Sequence, residues 1–316
     1  MKLESRILIA GASGLIGRAC VKAFASSGYR NLLTPNRSEL DLHDQSAVYN
    51  YFEKKEIDVV VVAAGKVGGI LENQEKPVEL LTENLIIHLN VCAAAQKFEC
   101  ERAVLLGSSC MYPKFCDQPM PVSSLFAGKM ENTSLPYSLA KHTSLQLGLS
   151  YNKQFLTDRF LCVIPNSAYG PGDNFDPKSG HVLSSLINRF HKAKLNNDKI
   201  ITLWGSGTPR REFIFSEDIA DAILFLLEHE ITTDTQPLNI GSGSDYSISE
   251  LADAISAEVD YQGTVFWDLE KPDGAPQKML DTTPLSSLGW RPSVDLHSGI
   301  RRSYSWFLSN KSNFER

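Results

Sequence analysis

The feature that most constrains the fold is a glycine motif near the start of the chain. A short apolar run, residues 7–10, is followed at once by Gly11-Ala-Ser-Gly14-Leu-Ile-Gly17, and the next residues carry apolar side chains at helical spacing. A strand, a glycine turn and a helix form the unit in which a pyrophosphate approaches a helix N-terminus. The alternative is a tight βα turn that binds no ligand. The context favours a dinucleotide site.

Strand and helix signals then alternate as far as residue 110. Helical periodicity predicts helices over 45–55 and 79–97, and apolar runs predict strands over 31–34 and 58–64. The uninterrupted apolar character of residues 59–64 is typical of a parallel sheet that is covered on both faces. We therefore predict an α/β fold, a Rossmann-type doubly wound parallel sheet with right-handed crossovers.

The amino-acid composition changes after residue 171, because residues 172–181 are polar and rich in turn-forming residues. We expect an NADP-binding Rossmann domain over 1–171, with returning segments near 212–242. Residues 172–316 would mainly form a smaller C-terminal lobe that binds the substrate. Later predicted elements are strands over 160–164, 200–204 and 238–240 and helices over 183–194, 218–228 and 247–259, the last opened by a serine cap.

Catalytic candidates lie where an apolar strand ends in hydroxyl side chains. Ser108 follows the run that starts at Val104, and Tyr137 and Lys141 are four residues apart, on one face of a predicted helix. A lysine ammonium near a phenol favours the phenolate, so we expect the pKa of Tyr137 to be lowered. Together the three groups can polarise and protonate a carbonyl oxygen. A Tyr-x-x-x-Lys pair alone is weak, but the upstream nucleotide motif supports it.

The second predicted strand indicates which dinucleotide binds. An acid at its end would hold the ribose hydroxyls of NAD, whereas an arginine suits the 2′-phosphate of NADP. Arg37 stands there and favours NADP(H). The alternative is a solvated arginine that pairs with Glu39 or Asp41.

Composition narrows the classes of function. A net charge of −6 without a long basic run argues against a nucleic-acid partner. Six cysteines without a C-x-x-C pair indicate free thiols and predict no metal site. The first apolar segment is broken by glycines and closed by Arg18, unlike a signal peptide, and we read no membrane-spanning run. We expect a soluble cytoplasmic protein.

The whole chain resembles the extended short-chain dehydrogenase/reductases and, among them, the GDP-L-fucose synthase family. The resemblance covers residues 11 to 281 in the family order, and its most particular motifs are KVGGI, SSCMYPK, DNFD and KPDG. The other stretches that carry it are GASGLIG, RSELDL, AAGKVGGI, GSSCMYPK, YSLAK, YGPGDNFD, HVLSSLINRFHKAK, WGSGTPRREF and KPDGAPQKMLD.

The resemblance implies NADPH-dependent epimerisation at C3 and C5 and reduction at C4 of GDP-4-keto-6-deoxy-D-mannose, giving GDP-L-fucose. Ser108, Tyr137 and Lys141 match the family's reductase triad, in which the tyrosine donates a proton to the C4 oxygen. Cys110 and His181 match the pair that epimerises the two carbons. Protons next to the ketone are acidified because an enolate can be stabilised. Cys110 would remove each proton, and His181 would return one from the other face.

The family also implies binding residues and a homodimer formed through the helices near 84–97 and 137–152. A stacking ring and cations suit the GDP part of the substrate. The cofactor set is Gly11, Ser13, Gly14, Leu15, Ile16, Gly17, Arg37, Ala63, Ala64, Tyr137 and Lys141. The substrate set is Ser109, Asn174, His181, Trp204, Arg211 and Lys278.

Alternatives exist for each of three single residues. Cys110 would otherwise be a small buried hydrophobe, as most cysteines are. His181 would otherwise be a surface or helix-capping histidine, and Arg211 would pair near Glu212 or with Asp218.

Departures from the family bear on the sugar rather than on the nucleotide. Residues 165–171 read Pro-Asn-Ser-Ala-Tyr-Gly-Pro where the family usually has Pro-Thr-Asn-Leu-Tyr-Gly-Pro, and Gln277 replaces an arginine. We expect the Asn166 side chain to lie near the nicotinamide and the sugar.

Two other functions therefore stay open. One is a C4 reductase, or an epimerase, that acts on a related nucleotide sugar of the GDP-colitose or GDP-deoxyheptose type. Because a pure reductase needs neither Cys110 nor His181, their presence favours epimerisation. The other is a non-enzymatic dinucleotide sensor, which we expect to have lost Tyr137 or Lys141.

Overall fold

The computed structural model describes residues 1–229, 231, 237–271 and 273–310. The strands are β1 Ile7–Ala10, β2 Leu32–Leu33, β3 Val59–Val62, β4 Arg102–Leu106, β5 Phe160–Pro165, β6 Ser167–Tyr169, β7 Ile200–Trp204, β8 Arg210–Phe215, β9 Leu238–Ile240, β10 Asp245–Ser247, β11 Thr264–Asp268 and β12 Gln277–Lys278. The helices are α1 Leu15–Ser26, α2 Gln45–Lys55, α3 Ile70–Glu75, α4 Pro77–Lys97, α5 Leu135–Phe155, α6 Val182–Asn196, α7 Ser216–Glu228, α8 Ile248–Val259, α9 Thr283–Ser287 and α10 Leu296–Asn310.

A six-stranded parallel sheet in the order β2-β1-β3-β4-β5-β9 confirms the predicted fold class. β1 and β3 are buried along their whole length because helices cover both faces of the sheet. The carboxyl ends of parallel strands meet at one edge, where ligands bind in open α/β sheets. Gly11, Ser108 and Asn166 follow three of these strands and so lie on that edge.

Two apolar cores flank the sheet, and one of them uses late parts of the chain. On one face α1 packs against α7, and Leu285 and Trp290 belong to the same buried cluster as β1. On the other face α4 packs against α5. The sheet is completed by β9, so residues from both halves of the chain build the nucleotide-binding layer.

The remaining strands form two smaller sheets on the ligand side. β8 is central in one of them, with β6 and β12 parallel to it and β10 antiparallel. β7 and β11 form a parallel pair. The helices α6, α8 and α10 share a third apolar core with these strands.

Several predicted boundaries are confirmed, and others shift for local reasons. α2, β7 and β9 have the predicted bounds, and Ser247 caps α8 by accepting a hydrogen bond from the Glu250 N–H at 3.1 Å. α4 starts two residues earlier than predicted because Pro77 suits the first turn of a helix. β2 and β3 are shorter than the predicted 31–34 and 58–64.

One helix differs from the prediction that the chain contains no membrane-spanning run. Within the described ranges, α4 is long and apolar enough to cross a membrane by length and composition. Half of its apolar window is buried inside the protein, which is typical of a core helix. We treat it as part of the fold.

Candidate active site

The glycine loop packs directly on the end of the third strand. A Cβ on Gly11, whose φ is +84°, would lie 2.6 Å from the Ala64 Cα, and one on Gly17 would lie 2.1 Å from the Gly11 carbonyl oxygen. No side chain fits at either position. Ala63 and Ala64 therefore border the loop, as the cofactor set requires.

The start of α1 suits an anionic ligand. Gly14 is its N-cap, no side chain caps it, and the first turn carries no acidic residue. Ser13 and Gly14 are exposed, and the first backbone N–H groups of the helix, including those of Leu15 and Ile16, have no intrahelical acceptors. The helix dipole adds partial positive charge at this end. A pyrophosphate fits this site.

Arg37 lies just beyond β2 with 73% of its side chain exposed. Its Nε is 3.8 Å from Asp41 Oδ1, so the alternative ion pair is present. Hydrogen bonds from His43 lower the pKa of Asp41 more than Arg37 does. An exposed pair of this length contributes little and leaves the guanidinium available to a 2′-phosphate.

The N-terminal part of α5 is fastened to the turn that follows β4. Ser108 Oγ accepts a hydrogen bond from the Cys110 N–H at 3.2 Å, and Ser138 Oγ donates to the Cys110 carbonyl at 2.8 Å. His142 Nε2 donates to the Met111 carbonyl at 2.6 Å. The side chain of Ser108 acts on the pKa of Tyr137, so the two hydroxyl groups lie near each other. The structure thus brings Ser108, Cys110 and Tyr137 together.

Lys141 is buried one turn further along α5. Its Nζ lies 5.8 Å from the centroid of the Tyr137 ring and 3.7 Å from where a Cβ on Gly65 would stand. Burial lowers the pKa of Lys141 to about 8. Because a charged amine is costly to bury, this lysine is placed for chemistry rather than for stability.

The predicted direction of the Tyr137 pKa is wrong for this structure. Burial raises the pKa of Tyr137, the charge of Cys110 raises it further, and the hydrogen bond from Ser108 opposes both. The lysine ammonium lies above the ring rather than beside the phenol oxygen, so desolvation dominates. Tyr137 is thus a proton donor in this state.

Cys110 differs from most of the other thiols. All six cysteines are free, as predicted, and burial raises the pKa of the four that lie in the cores, Cys20, Cys92, Cys100 and Cys162. Cys110 is partly exposed at the strand edge. Its alternative role as a buried hydrophobe is therefore wrong.

Arg211 lies within electrostatic range of this thiol. Burial lowers the pKa of Arg211, and the negative charges of Cys110, Glu131 and Asp273 oppose that change. The alternative pairing with Asp218 is wrong, because that carboxylate accepts hydrogen bonds from Ser293 and Val294. Lys278 is the strand partner of Arg211, so two cations stand side by side in β8 and β12.

His181 is the N-cap residue of α6, and 44% of its side chain is exposed. Its Nδ1 lies 3.4 Å from Asp173 Oδ1. The glycine loop at residues 65–69 contacts both the segment before His181 and Lys141 of the triad. Gly65 borders Lys141 as described, while the Gly69 N–H donates to the Ser179 carbonyl at 3.3 Å.

The other expected substrate residues differ in accessibility. Trp204 is 58% exposed at the end of β7, and the Lys271 ammonium lies 5.7 Å from its ring centroid. Asn174 braces the loop that carries His181, since its Nδ2 donates to Ser179 Oγ at 3.0 Å. Ser109 is buried. Trp204 is therefore largely accessible to solvent, and Ser109 is enclosed.

The sequence did not predict the buried carboxylate of Glu212. Glu212 is fully buried and accepts hydrogen bonds from the Gly243 N–H at 2.7 Å, from the Leu280 N–H at 2.9 Å and from Asn166 Nδ2. The Asn166 amide is thus engaged by this carboxylate, which satisfies its hydrogen-bonding need. A lone glutamate inside an apolar strand was the available signal.

Gln277, the other departure, is also engaged within the protein. Its Nε2 donates to Asp245 Oδ2 at 2.6 Å. Within the described residues, no cluster of three or more histidine, cysteine or acidic side chains is placed to hold a metal ion.

Comparisons with known proteins agree with this geometry. The model of the NAD dependent epimerase/dehydratase family matches residues 7–241. GDP-L-fucose synthase of Escherichia coli (strain K12) is 41% identical, covering 98% of this chain and 99% of its own. GDP-L-colitose synthase of Yersinia pseudotuberculosis is 35% identical, covering 98% and 99%.

Solved structures show the same fold. A GDP-6-OMe-4-keto-L-xylo-heptose reductase from C. jejuni has a TM-score of 0.93 at 30% identity, covering 98% of this chain and 99% of its own. A GDP-L-fucose synthetase from Naegleria fowleri bound to NADP has a TM-score of 0.92 at 25% identity, covering 100% and 96%.

Proposed function

Because the chain belongs to the NAD dependent epimerase/dehydratase family and, within it, to the GDP-L-fucose synthases, we propose that it converts GDP-4-keto-6-deoxy-D-mannose into GDP-L-fucose. The cofactor is NADP(H), and the enzyme is an oxidoreductase and epimerase. The observation that carries the proposal is the placement of Cys110 at the same strand edge as Ser108 and Tyr137, with an accessible His181 opposite the loop at 65–69.

The reductive half uses three side chains. NADPH, when bound, supplies a hydride to C4 of the sugar. Ser108 and Tyr137 hold the C4 oxygen by hydrogen bonds, and Tyr137 gives it a proton. Lys141, whose Nζ lies 5.8 Å from the centroid of the Tyr137 ring, binds the nicotinamide ribose. Gly11, Gly14 and Gly17 admit the pyrophosphate, and Arg37 takes the 2′-phosphate.

The epimerising half starts from the same oxygen. Ser108 and Tyr137 stabilise negative charge on the C4 oxygen, which acidifies the protons on C3 and C5. Cys110 as a thiolate removes each proton. His181 returns a proton to the opposite face of each carbon.

The GDP part of the substrate would bind across the smaller lobe. Trp204 stacks on the guanine, and Arg211 and Lys278 pair with the diphosphate. Asn174 and Ser109 support the walls of this site. We assign the division into a cofactor domain, 1–171 with returning segments near 212–242, and a lobe, mainly 172–316, on the same grounds.

We also propose a cytoplasmic homodimer. α4 and α5 pack on each other and still expose large apolar side chains, namely Val78, Ile86, Leu89, Leu139 and Phe155. Exposed apolar surface on paired helices favours a second copy as its cover. Sedimentation analysis should give a mass of about twice the 35.0 kDa of the chain.

A C4 reductase of a related GDP-sugar is the second candidate. It is favoured by the structural similarity to the heptose reductase and by the engagement of Asn166 with Glu212. Cys110 and His181 have no role in such a reaction.

A single experiment separates the two. The protein is incubated with GDP-4-keto-6-deoxy-D-mannose and NADPH in D2O, and proton NMR follows cofactor oxidation and deuterium at C3 and C5. GDP-fucose with deuterium at both carbons supports the proposal. Cofactor oxidation without deuterium supports the reductase, and no reaction with this sugar would contradict the proposal.

A further inference from the structure

We propose that Asp173 is the positioning residue of His181: its carboxylate holds the Nδ1–H and leaves Nε2 to exchange a proton with the sugar. This inference rests on the proposed function. It assigns to a buried acid a role that neither the motif pattern nor the resemblance gave it.

The first support is the geometry of the carboxylate. Asp173 is buried, with 6% of its surface exposed. Oδ1 accepts a hydrogen bond from the Asn174 N–H at 2.8 Å and faces His181 Nδ1 at 3.4 Å. Oδ2 accepts from Ser184 Oγ in the first turn of α6. The carboxylate is thus fixed on both oxygens, and one of them is directed at the imidazole.

The second support is the electrostatic setting. His181 begins a helix, and the positive end of a helix dipole disfavours a second positive charge. The pKa of His181 is nevertheless raised, with the hydrogen bond to Asp173 as its main cause. The carboxylate therefore outweighs the effect of burial on the imidazole.

Other charged groups near His181 are already engaged. On its own loop, Asp176 accepts hydrogen bonds from the backbone N–H groups of Lys178 and Ser179. On the elements that follow the loop at 65–69, Glu72 lies 3.7 Å from Lys76 Nζ. Lys66 pairs with Glu79 and Glu83. Asp173 is the charge that the imidazole meets directly.

The proton transfers balance with Asp173 ionised throughout. At C3 the C–H bond breaks, Cys110 gains the proton, and the electron pair moves to the C4 oxygen as an enolate. Nε2–H of the His181 imidazolium then breaks as the new C–H bond forms, and the enolate returns to the ketone. The neutral imidazole keeps its Nδ1–H on Asp173. The thiol and the imidazole regain their starting protonation by exchange with water, and C5 reacts in the same way.

A purely structural role is the competing explanation, because the same carboxylate also holds α6 through Ser184. Two variants separate the roles. Asp173→Asn removes the charge at constant size and weakens the hold on Nδ1–H. Ser184→Ala removes the hydrogen bond to Oδ2 and leaves the contact with His181.

The activity test measures deuterium incorporation at C3 and C5 with NADP+ in place of NADPH, so that epimerisation is observed alone. We expect Asp173→Asn to lower this rate about 10²-fold, with KM within about twofold of wild type. Ser184→Ala should stay within about threefold. Equal losses in both variants, or a normal rate in Asp173→Asn, would overturn the proposal.

A second measurement does not depend on turnover. NMR titration of His181 in the wild-type protein should give a pKa above the ordinary 6.5, and Asp173→Asn should bring it to or below 6.5. A wild-type pKa below 6.5 would refute the pairing, even if Asp173→Asn failed to fold. Wild-type protein that showed no exchange would refute the proposed function instead, and the titration would still decide the pairing.

Discussion

The two halves of the active site are built differently. In the reductive half, Ser108 lies near Tyr137, and the N-terminal part of α5 is fastened to the strand end by Ser138 and His142. In the epimerising half, His181 is the exposed N-cap residue of α6, and its side chain contacts Asp173. One half is rigid and buried at its base, and the other is open.

This difference matches the number of atoms that each half must reach. Reduction occurs at one carbon, so a fixed donor at one oxygen is sufficient and gains from preorganisation. Epimerisation concerns two carbons on either side of the ketone, so its acid must serve two positions. An exposed histidine at a helix N-cap, with a carboxylate behind it, suits that task. The predictions below test whether the halves are separable.

Tyr137→Phe should have the largest effect on activity. It should reduce both reduction and epimerisation, because both halves of the site use this phenol. The phenol both protonates the C4 oxygen and stabilises the enolate, so we expect cofactor oxidation and deuterium exchange each to fall by about 10³-fold or more. Tyr151→Phe on the same helix is the control, because that ring packs on Phe160. Exchange that persisted in Tyr137→Phe would show that the epimerising half has its own oxyanion partner.

Cys110→Ala should separate the two activities, with epimerisation lost and reduction largely retained. We expect exchange at both carbons to fall by about 10³-fold, because the proposed mechanism assigns removal of both protons to this thiolate. Reduction of the sugar that is already epimerised at C3 and C5 should stay within about tenfold of wild type. Cys116→Ala, which removes another partly exposed thiol, is the matched control. Loss of both activities would mean that the thiol also shapes the reductive half.

Lys141→Met should have the smallest effect, measured as stability. Because burial lowers the pKa of Lys141 from 10.5 to about 8, the fold carries a charged amine at a cost. Its removal should raise the free energy of unfolding at pH 7 by on the order of 2 kcal/mol, while activity is lost. Urea unfolding with Lys153→Met as the exposed control checks this.

The direction of the Lys141 pKa shift determines how the gain in the free energy of unfolding varies with pH. The folded pKa lies below the unfolded one, so wild type becomes more stable as pH rises from about 8 towards 10.5. The difference between Lys141→Met and wild type should therefore be constant below pH 8 and shrink above it. A difference that did not change with pH would show that packing rather than charge is responsible.

The sequence predicted those parts of the fold that depend on local chemistry. β1, the glycine loop and α2 follow from hydrophobic period and turn residues, and the pairing of Tyr137 with Lys141 follows from helical spacing. The resemblance supplied Cys110 and His181, which periodicity alone could not distinguish from core and surface residues. Local rules also placed the ends of β7 and β9 correctly.

What failed depends on distant parts of the chain. Glu212 is buried only because donors from Asn166, Gly243 and Leu280 converge on it, and no local pattern reveals that convergence. Asp173 likewise reads as a surface acid in a polar loop. The direction of the Tyr137 pKa was wrong because desolvation is a property of the folded site, whereas spacing reports only proximity.

The completion of the main sheet by β9 has a consequence for synthesis on the ribosome. The core around β1 includes α7, β9 and Trp290, so the nucleotide-binding layer cannot close its apolar face when residue 171 has been translated. At a translation rate of about 5–20 residues per second, that apolar face stays uncovered for on the order of ten seconds, until the segments up to residue 290 have been synthesised. During this interval it is a surface for chaperones. A fragment that ends near residue 171 would retain that exposure permanently.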